Sequence, residues 1–216
     1  MTLDSATRVV AVRHGETAWN VDTRIQGQLD IGLNATGIWQ AQRAGSALAD
    51  EPIGVVYASD LSRAWQTAEE IARPHGLAVQ PEPRLRERAF GNFEGLSFAE
   101  IEATLPVQAR LWRERDPEFE PEGGESLLMF RDRVTGVAAE LAARHPGELV
   151  VLVAHGGVMD VLYRAATRQE LQAPRTWQLG NAAINRMLWT PEGFSLVGWS
   201  DTAHLTAGDA LDETTS

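Results

Sequence analysis

A histidine flanked by arginine and glycine, Arg13-His14-Gly15-Glu16-Thr17, follows the apolar run Val9-Val10-Ala11-Val12. An apolar, β-branched run closed by a glycine reads as a buried parallel strand, which puts the histidine at its carboxyl end. Ligands bind at that end of open α/β sheets. Val55–Ala58 repeats the pattern and leads to Arg63, and Leu149–Ala154 repeats it and ends at His155. Two strand ends carry a histidine, and two arginines stand close by. That set is suited to holding an anion and attacking it.

Each residue type suggests a role. A neutral imidazole nitrogen of His14 can attack phosphorus and split a displacement into two steps. One ring nitrogen must then be free and the other held as a donor. The guanidinium forks of Arg13 and Arg63 match phosphoryl oxygens bidentately. His155, in Ala154-His155-Gly156-Gly157, falls where a strand meets a helix amino terminus, which offers N–H donors and a positive dipole. Glu87, in Arg84-Leu85-Arg86-Glu87-Arg88, is the candidate general acid, able to protonate a leaving alkoxide and later deprotonate water. The residues alone do not choose Glu87 over Glu16, Glu82 or Glu94. A core histidine, a solvated arginine or a surface ion pair would be the plain alternative at each position taken singly.

The rest of the chain reads as the frame for these groups. The 216 residues carry 19 basic and 30 acidic side chains, a net charge of −11. Such a field disfavours nucleic acid and anionic membranes, so an anionic substrate needs a local basic pocket. The chain has no cysteine, which excludes disulfides, Cys-ligated zinc and a thiol nucleophile. Met1–Thr7 is polar, with no signal-peptide pattern, so a cytoplasmic location is expected.

Trp19–Asn34 is a polar, glycine-containing loop. Thr36 is the expected cap of a helix through Trp39, Ala41, Ala44 and Leu48, and Ser59 or Asp60 that of one through Trp65, Ala68 and Ile71. Leu77–Val79 reads as a short strand. Prolines break Pro81–Gly124, leaving short helices near Phe98–Leu105 and Val107–Arg115. A long helix opens at Glu125-Ser126 and closes at Pro146-Gly147. After the Leu149–Ala154 strand come a helix over Val158–Ala166 and a hairpin of Ala182–Trp189 with Phe194–Trp199. The alternation predicts a three-layer α/β/α sandwich with a mostly parallel central sheet. We expect one domain over residues 1–216, with a helical insertion at about 90–124 over the active site and a flexible tail at about 203–216.

With these motifs in order, the chain resembles the histidine phosphatase (phosphoglycerate mutase-like) superfamily. The resemblance rests on Arg13-His14-Gly15-Glu16-Thr17, Ser59-x-x-x-Arg63-Ala64-x-x-Thr67-Ala68, Glu87 before Phe90-Gly91-x-x-Glu94-Gly95, and Ala154-His155-Gly156-Gly157. It covers roughly Val9 to Trp199. It implies His14 as the phosphorylated nucleophile, Arg13, Arg63 and His155 as the phosphate pocket, and Glu87 as proton donor. It also implies phosphate or substrate contacts from Asn20 and from the Gln26-Gly27 loop. The substrate would be a small phosphorylated metabolite, with no metal and no organic cofactor.

Hydrolases and mutases share this pattern. Mutases resembling this chain carry paired arginines after a tryptophan in the insertion. Here Trp112 is followed by Arg113-Glu114-Arg115, and the chain has no lysine. A carboxylate beside a second phosphate would repel it, which favours hydrolysis, with a cofactor-dependent phosphoglycerate mutase as the alternative. Trp112, Arg113, Phe93 and Phe119 are candidate lining for the leaving group, and Gly156 for the phosphate. An idle phospho-ligand-binding domain would be expected to lack His14 or Glu87. A metal site of His14, His155 and Glu87 is disfavoured by two arginines in the same pocket. The expected pH profile is a bell, with His14 neutral and Glu87 protonated. A homodimer stays open, and exposed members of the seven tryptophans would mark its interface.

Overall fold

The computed structural model describes residues 6–206. Thr7–Arg13 (β1) lies at the heart of the sheet because its side chains are buried on both faces. Val9 and Ala11 enter one core, and Val10 and Val12 the other. Leu149–Ala154 (β4) alternates in the same way and is wholly buried. A strand enclosed on both sides carries no polar face, which is why both runs read as continuously apolar.

Ile53–Ala58 (β2) pairs parallel with β4, and Gln80–Pro81 (β3) parallel with β2. Ile184–Thr190 (β5) and Gly193–Asp201 (β6) form the hairpin, and β5 runs antiparallel to β1. The sheet order is β3-β2-β4-β1-β5-β6. The chain leaves β1 for β2, two places away, and returns to insert β4 between them. The carboxyl ends of β1 and β4 therefore lie side by side at a change of direction in the winding, where a crevice forms.

Helices cover both faces. After the short Ala18–Val21 (α1), Ala35–Ala47 (α2) and Ser62–Ala72 (α3) pack on one side through Ala44, Leu48, Ala64, Ala68 and Ile71. Phe98–Thr104 (α4) and Pro106–Arg113 (α5) belong to the insertion. Leu127–Ala143 (α6) and Gly156–Thr167 (α7) cover the opposite face. The expected three-layer sandwich with its mostly parallel sheet is present.

The insertion closes at its base, where Glu125 N–H donates to Ala89 O. It has a core of its own in Phe93, Ile101 and Ala109, edged by Trp112 and Phe119. The structure thus makes Phe93 and Phe119 mainly packing residues, while Trp112 also faces the cleft.

Four local expectations shift. Asn34, not Thr36, caps α2, its Oδ1 accepting from Gly37 N at 2.8 Å. Neither Ser59 nor Asp60 caps α3, which starts after Leu61. Ser59 Oγ faces His155, and Asp60 is held by Arg86 at 2.7 Å. The third strand lies at Gln80–Pro81 rather than Leu77–Val79. The tail begins with an ordered turn, Ala203–Thr206 (α8), whose His204 O accepts from Arg43 Nε. The remainder of the expected tail, 207–216, lies outside the described residues.

Candidate active site

His14 leaves β1 with its ring nearly enclosed, 3% exposed. Its Nδ1 stands 2.7 Å from Gly15 O. A carbonyl only accepts, so Nδ1 carries the proton and Nε2 keeps its lone pair free. Gly15 is required here by close approach: a Cβ would stand 2.3 Å from Gly37 O. The Gly15 N–H donates to Thr67 Oγ1 on α3 (3.0 Å), whose hydroxyl donates to Arg63 O (2.8 Å). Thr67 therefore ties the turn that carries His14 to the helix that carries Arg63.

Arg63 is 1% exposed and holds the loop before α2, with Nη1 donating to Leu29 O and Nη2 to Gly27 O, both at 2.8 Å. Arg13 donates from Nη1 to Leu179 O. His155 is fully buried, its Nε2 2.8 Å from Ser59 Oγ and its ring centroid 5.3 Å from that of His14.

Six buried side-chain nitrogen or oxygen atoms have no partner among the described residues. Three of them are Arg13 Nε, Arg63 Nε and His155 Nδ1. An unmatched buried donor costs about 1–3 kcal/mol. Arg13 Nε and Arg63 Nε are donors outright, and His155 Nδ1 is a third with the Ser59 hydroxyl donating to Nε2; lying on residues around one histidine, they mark a place suited to an anion's oxygens.

Both imidazoles are pushed well below the ordinary histidine value. Burial is the larger cause, followed for His14 by Arg13 and Arg63, against one opposing bond to Gly15 O. For His155 burial leads, then Arg63, His14 and Arg13. His14 therefore stays neutral at pH values where a free histidine is half protonated. The unfolded chain takes up those protons below about pH 6.5 and the folded chain does not, so stability falls as pH falls through that value. In phosphate-free buffer, melting temperature is expected to drop between pH 7 and 5.5. The slope corresponds to up to about 1.4 kcal/mol per pH unit for each histidine. His14→Ala flattens the slope, and a wild-type melting temperature constant over that range contradicts this assignment.

Glu87 sits at the amino terminus of α7. Its Oε2 accepts from Gly157 N and its Oε1 from Arg88 N, each at 2.9 Å. Gly157 permits this, because a Cβ there would lie 2.2 Å from Glu87 Oε1. Each oxygen retains a second lone pair for a proton. The other three carboxylates are engaged elsewhere: Glu94 with the N–H groups of Gln28 and Phe90, Glu82 with Arg84, and Glu16 with Asn34. The structure thus separates the four candidates, and only Glu87 of them lines the cleft beside Arg13 and Gly156.

Asn20 Oδ1 accepts from Thr17 N (3.0 Å) and Asn181 Nδ2 (3.3 Å), which leaves its amide nitrogen for another partner. Gln26 is buried, and its Oε1 meets Thr17 Oγ1 at 3.0 Å. Gly27 contributes a carbonyl to Arg63, and the loop is fixed to the insertion by Gly95 N–H donating to Ile25 O. Arg113 is not brought to the site. It is exposed, paired with Glu102 and placed over the Phe98 ring. Glu114 is likewise outward, 57% exposed and facing Arg110, so the repulsion expected from it does not arise.

Beyond Arg13 and Glu87 opens a cleft of about 530 Å³, which Arg88, Arg115 and Arg175 also line. Sequence reasoning did not single out Arg88, Arg175 or Asp160. The only signal for Arg175 was its place in a polar segment between a helix and a hairpin, where loops carry function.

The chain matches the model of the histidine phosphatase superfamily (branch 1) over residues 9–202, and it belongs to that family. It is 38% identical to the Arabidopsis thaliana phosphoglycerate mutase-like protein 4, over 91% of this chain and 86% of that protein. It is 37% identical to the metal-independent phosphoserine phosphatase of the same plant, over 93% and 84%. A mycobacterial glucosyl-3-phosphoglycerate phosphatase, solved with VO3, superposes with a TM-score of 0.80 at 34% identity, covering 90% of this chain and 99% of that one. The chain is accordingly a phosphatase-type enzyme of this superfamily.

Proposed function

We propose that the protein hydrolyses small phosphate monoesters in two displacements at His14. Nε2 attacks phosphorus and the P–O bond to the alcohol breaks, while Glu87 gives its proton to the departing oxygen. Water then gives a proton to Glu87 and its oxygen to phosphorus, releasing phosphate and restoring His14. Arg13, Arg63 and His155 would hold the non-bridging oxygens, and preorganised donors of this kind stabilise charge without reorganising during the reaction. The observation that carries the reading is the trio of unpartnered buried nitrogens around a histidine whose Nε2 is free.

The name of the mutase-like relative supports a second reading, phosphoryl transfer between two hydroxyls. Hydrolysis is favoured by the commitments of the outer arginines. Arg88 is spent on two carbonyls and Arg115 on Asp160 and Leu171 O, so neither is free to hold a second phosphate. Phosphorus NMR of the protein with 3-phosphoglycerate and a trace of 2,3-bisphosphoglycerate, beside a tube of p-nitrophenyl phosphate, separates the two. Growth of inorganic phosphate is expected. A 2-phosphoglycerate signal at constant inorganic phosphate would establish the mutase instead.

A further inference from the structure

Glu87, the proposed proton donor, stands in a stretch without regular structure: residues 87–90 belong to no helix or strand. Main chain of that kind keeps its place only through the partners of its carbonyls and N–H groups. A general acid must stand within about 2.6–3.2 Å of the atom it protonates. Whatever holds this stretch therefore bears on the reaction.

Arg133, on α6, is what holds it. A guanidinium has five N–H donors, and here each has an acceptor. Nη1 donates to Arg84 O at 2.7 Å and to Arg86 O at 3.0 Å, and Nη2 donates to Glu87 O at 3.3 Å. Nε and Nη2 donate to the two carboxylate oxygens of Glu125 at 2.7 and 2.6 Å. Glu125 in turn fixes the residues after Glu87. Its Oε2 accepts from Ala89 N at 2.9 Å, its N–H donates to Ala89 O at 2.8 Å, and its O accepts from Arg88 Nε at 2.8 Å. The two side chains are largely enclosed, 20% and 16% exposed. The Arg133 guanidinium also lies over the Phe130 ring, 5.2 Å from its centroid. Neither residue lines the cleft, so the pair meets the reaction only through the segment it holds.

Resting on the hydrolase reading, we propose that Arg133 and Glu125 are positioning residues for the general acid. They fix the main chain on both sides of Glu87. Its carboxyl proton is then in reach of the bridging oxygen as the P–O bond breaks and the electron pair passes to that oxygen. Misplacing a reacting group by about 1 Å costs about 10²-fold. Loss of the pair slows proton donation and leaves the attack by His14 and the grip of Arg13 and Arg63 in place.

The test uses three esters of similar size and rising leaving-group basicity: p-nitrophenyl, phenyl and benzyl phosphate. p-Nitrophenolate leaves without a proton, whereas the benzyl alkoxide needs one. The quantity compared is kcat/KM, which reports the first displacement and not the later deprotonation of water. In Arg133→Gln it is expected to fall by about 30- to 100-fold for benzyl phosphate and by less than about threefold for p-nitrophenyl phosphate. Arg133→Lys keeps a charge for Glu125 but cannot also serve three carbonyls. It is expected to show the same graded loss, and it carries the comparison if Arg133→Gln does not fold. Arg131→Gln removes an arginine of the same helix that pairs with Asp132, and is expected to keep the wild-type ratio. Inorganic phosphate is expected to raise the melting temperature of each variant, as an intact phosphate pocket requires. In a Glu87→Gln background, Arg133→Gln is expected to cost the three esters equally, because no proton is left to position. An equal loss on all three esters in Arg133→Gln alone, or a graded loss that persists with Glu87→Gln, overturns the proposal and leaves the hydrolase intact. If Glu87→Gln by itself slows the three esters alike, or if the wild type hydrolyses none of them, it is the hydrolase reading that fails, and the proposal with it.

Discussion

Replacing His14 with alanine is expected to lower turnover of p-nitrophenyl phosphate by on the order of 10⁴-fold or more, without unfolding the chain. The reason is that no other group can take its place. His155, the other ring at this end of the sheet, has Nε2 facing Ser59 and is positioned as a donor. The substitution removes a neutral, desolvated ring rather than an ion-pair partner, so no buried charge is stranded. Arg13, Arg63 and His155 keep their geometry, and inorganic phosphate should still raise the melting temperature of the variant. Initial rates and melting curves with and without phosphate are the measurements. Retention of a tenth of the wild-type rate would remove His14 from the nucleophile's role.

Arg63 carries the second large effect, because it has two roles. Its two terminal nitrogens hold Gly27 O and Leu29 O, while its Nε has no partner. Arg63→Ala strands two carbonyls at about 1–3 kcal/mol each and removes a preorganised contact to the phosphoryl group. The expected loss in kcat/KM is about 10²–10³-fold, with a lower melting temperature. Arg63→Lys restores charge but not the fork, since an ammonium cannot reach both carbonyls and the oxyanion. It is expected to recover less than about tenfold of the loss. Wild-type kcat/KM in Arg63→Ala would refute the clamp.

The parts of this site that could be read in the sequence lie at the ends of strands with an unmistakable pattern. β1 and β4 are enclosed on both faces, so their apolar runs announce them, and His14 and His155 follow at once. The long α6, the insertion helices and the final hairpin were legible for the same reason: period and turn residues agree with the fold. The caps of α2 and α3 were not, although Ser126 does cap α6 as its sequence suggests. Ser59 and Asp60 are good capping residues, yet tertiary partners, His155 and Arg86, claim both side chains. Glu87 could not be separated from its neighbours because its role depends on Gly157 N, seventy residues away. The outer cleft was hidden for a related reason. Arg88, Arg115, Asp160 and Arg175 come from four separate segments, and no local spacing links them. Arg113 shows the opposite error: its place after Trp112 suggested a ligand contact, but the helix turns it toward Glu102.

The most direct test of the central claim is to trap the phosphoenzyme. The protein is mixed with excess p-nitrophenyl phosphate, quenched rapidly in alkali, where phosphohistidine survives, digested with trypsin and read by mass spectrometry. Cleavage after Arg13 and Arg24 gives a peptide spanning His14 to Arg24, which contains no other histidine. The expected result is one phosphoryl group on that peptide, lost on treatment with acid and missing from His14→Ala. Steady hydrolysis with no phosphopeptide at any quench time, or with the phosphoryl group on another peptide, would contradict catalysis through His14.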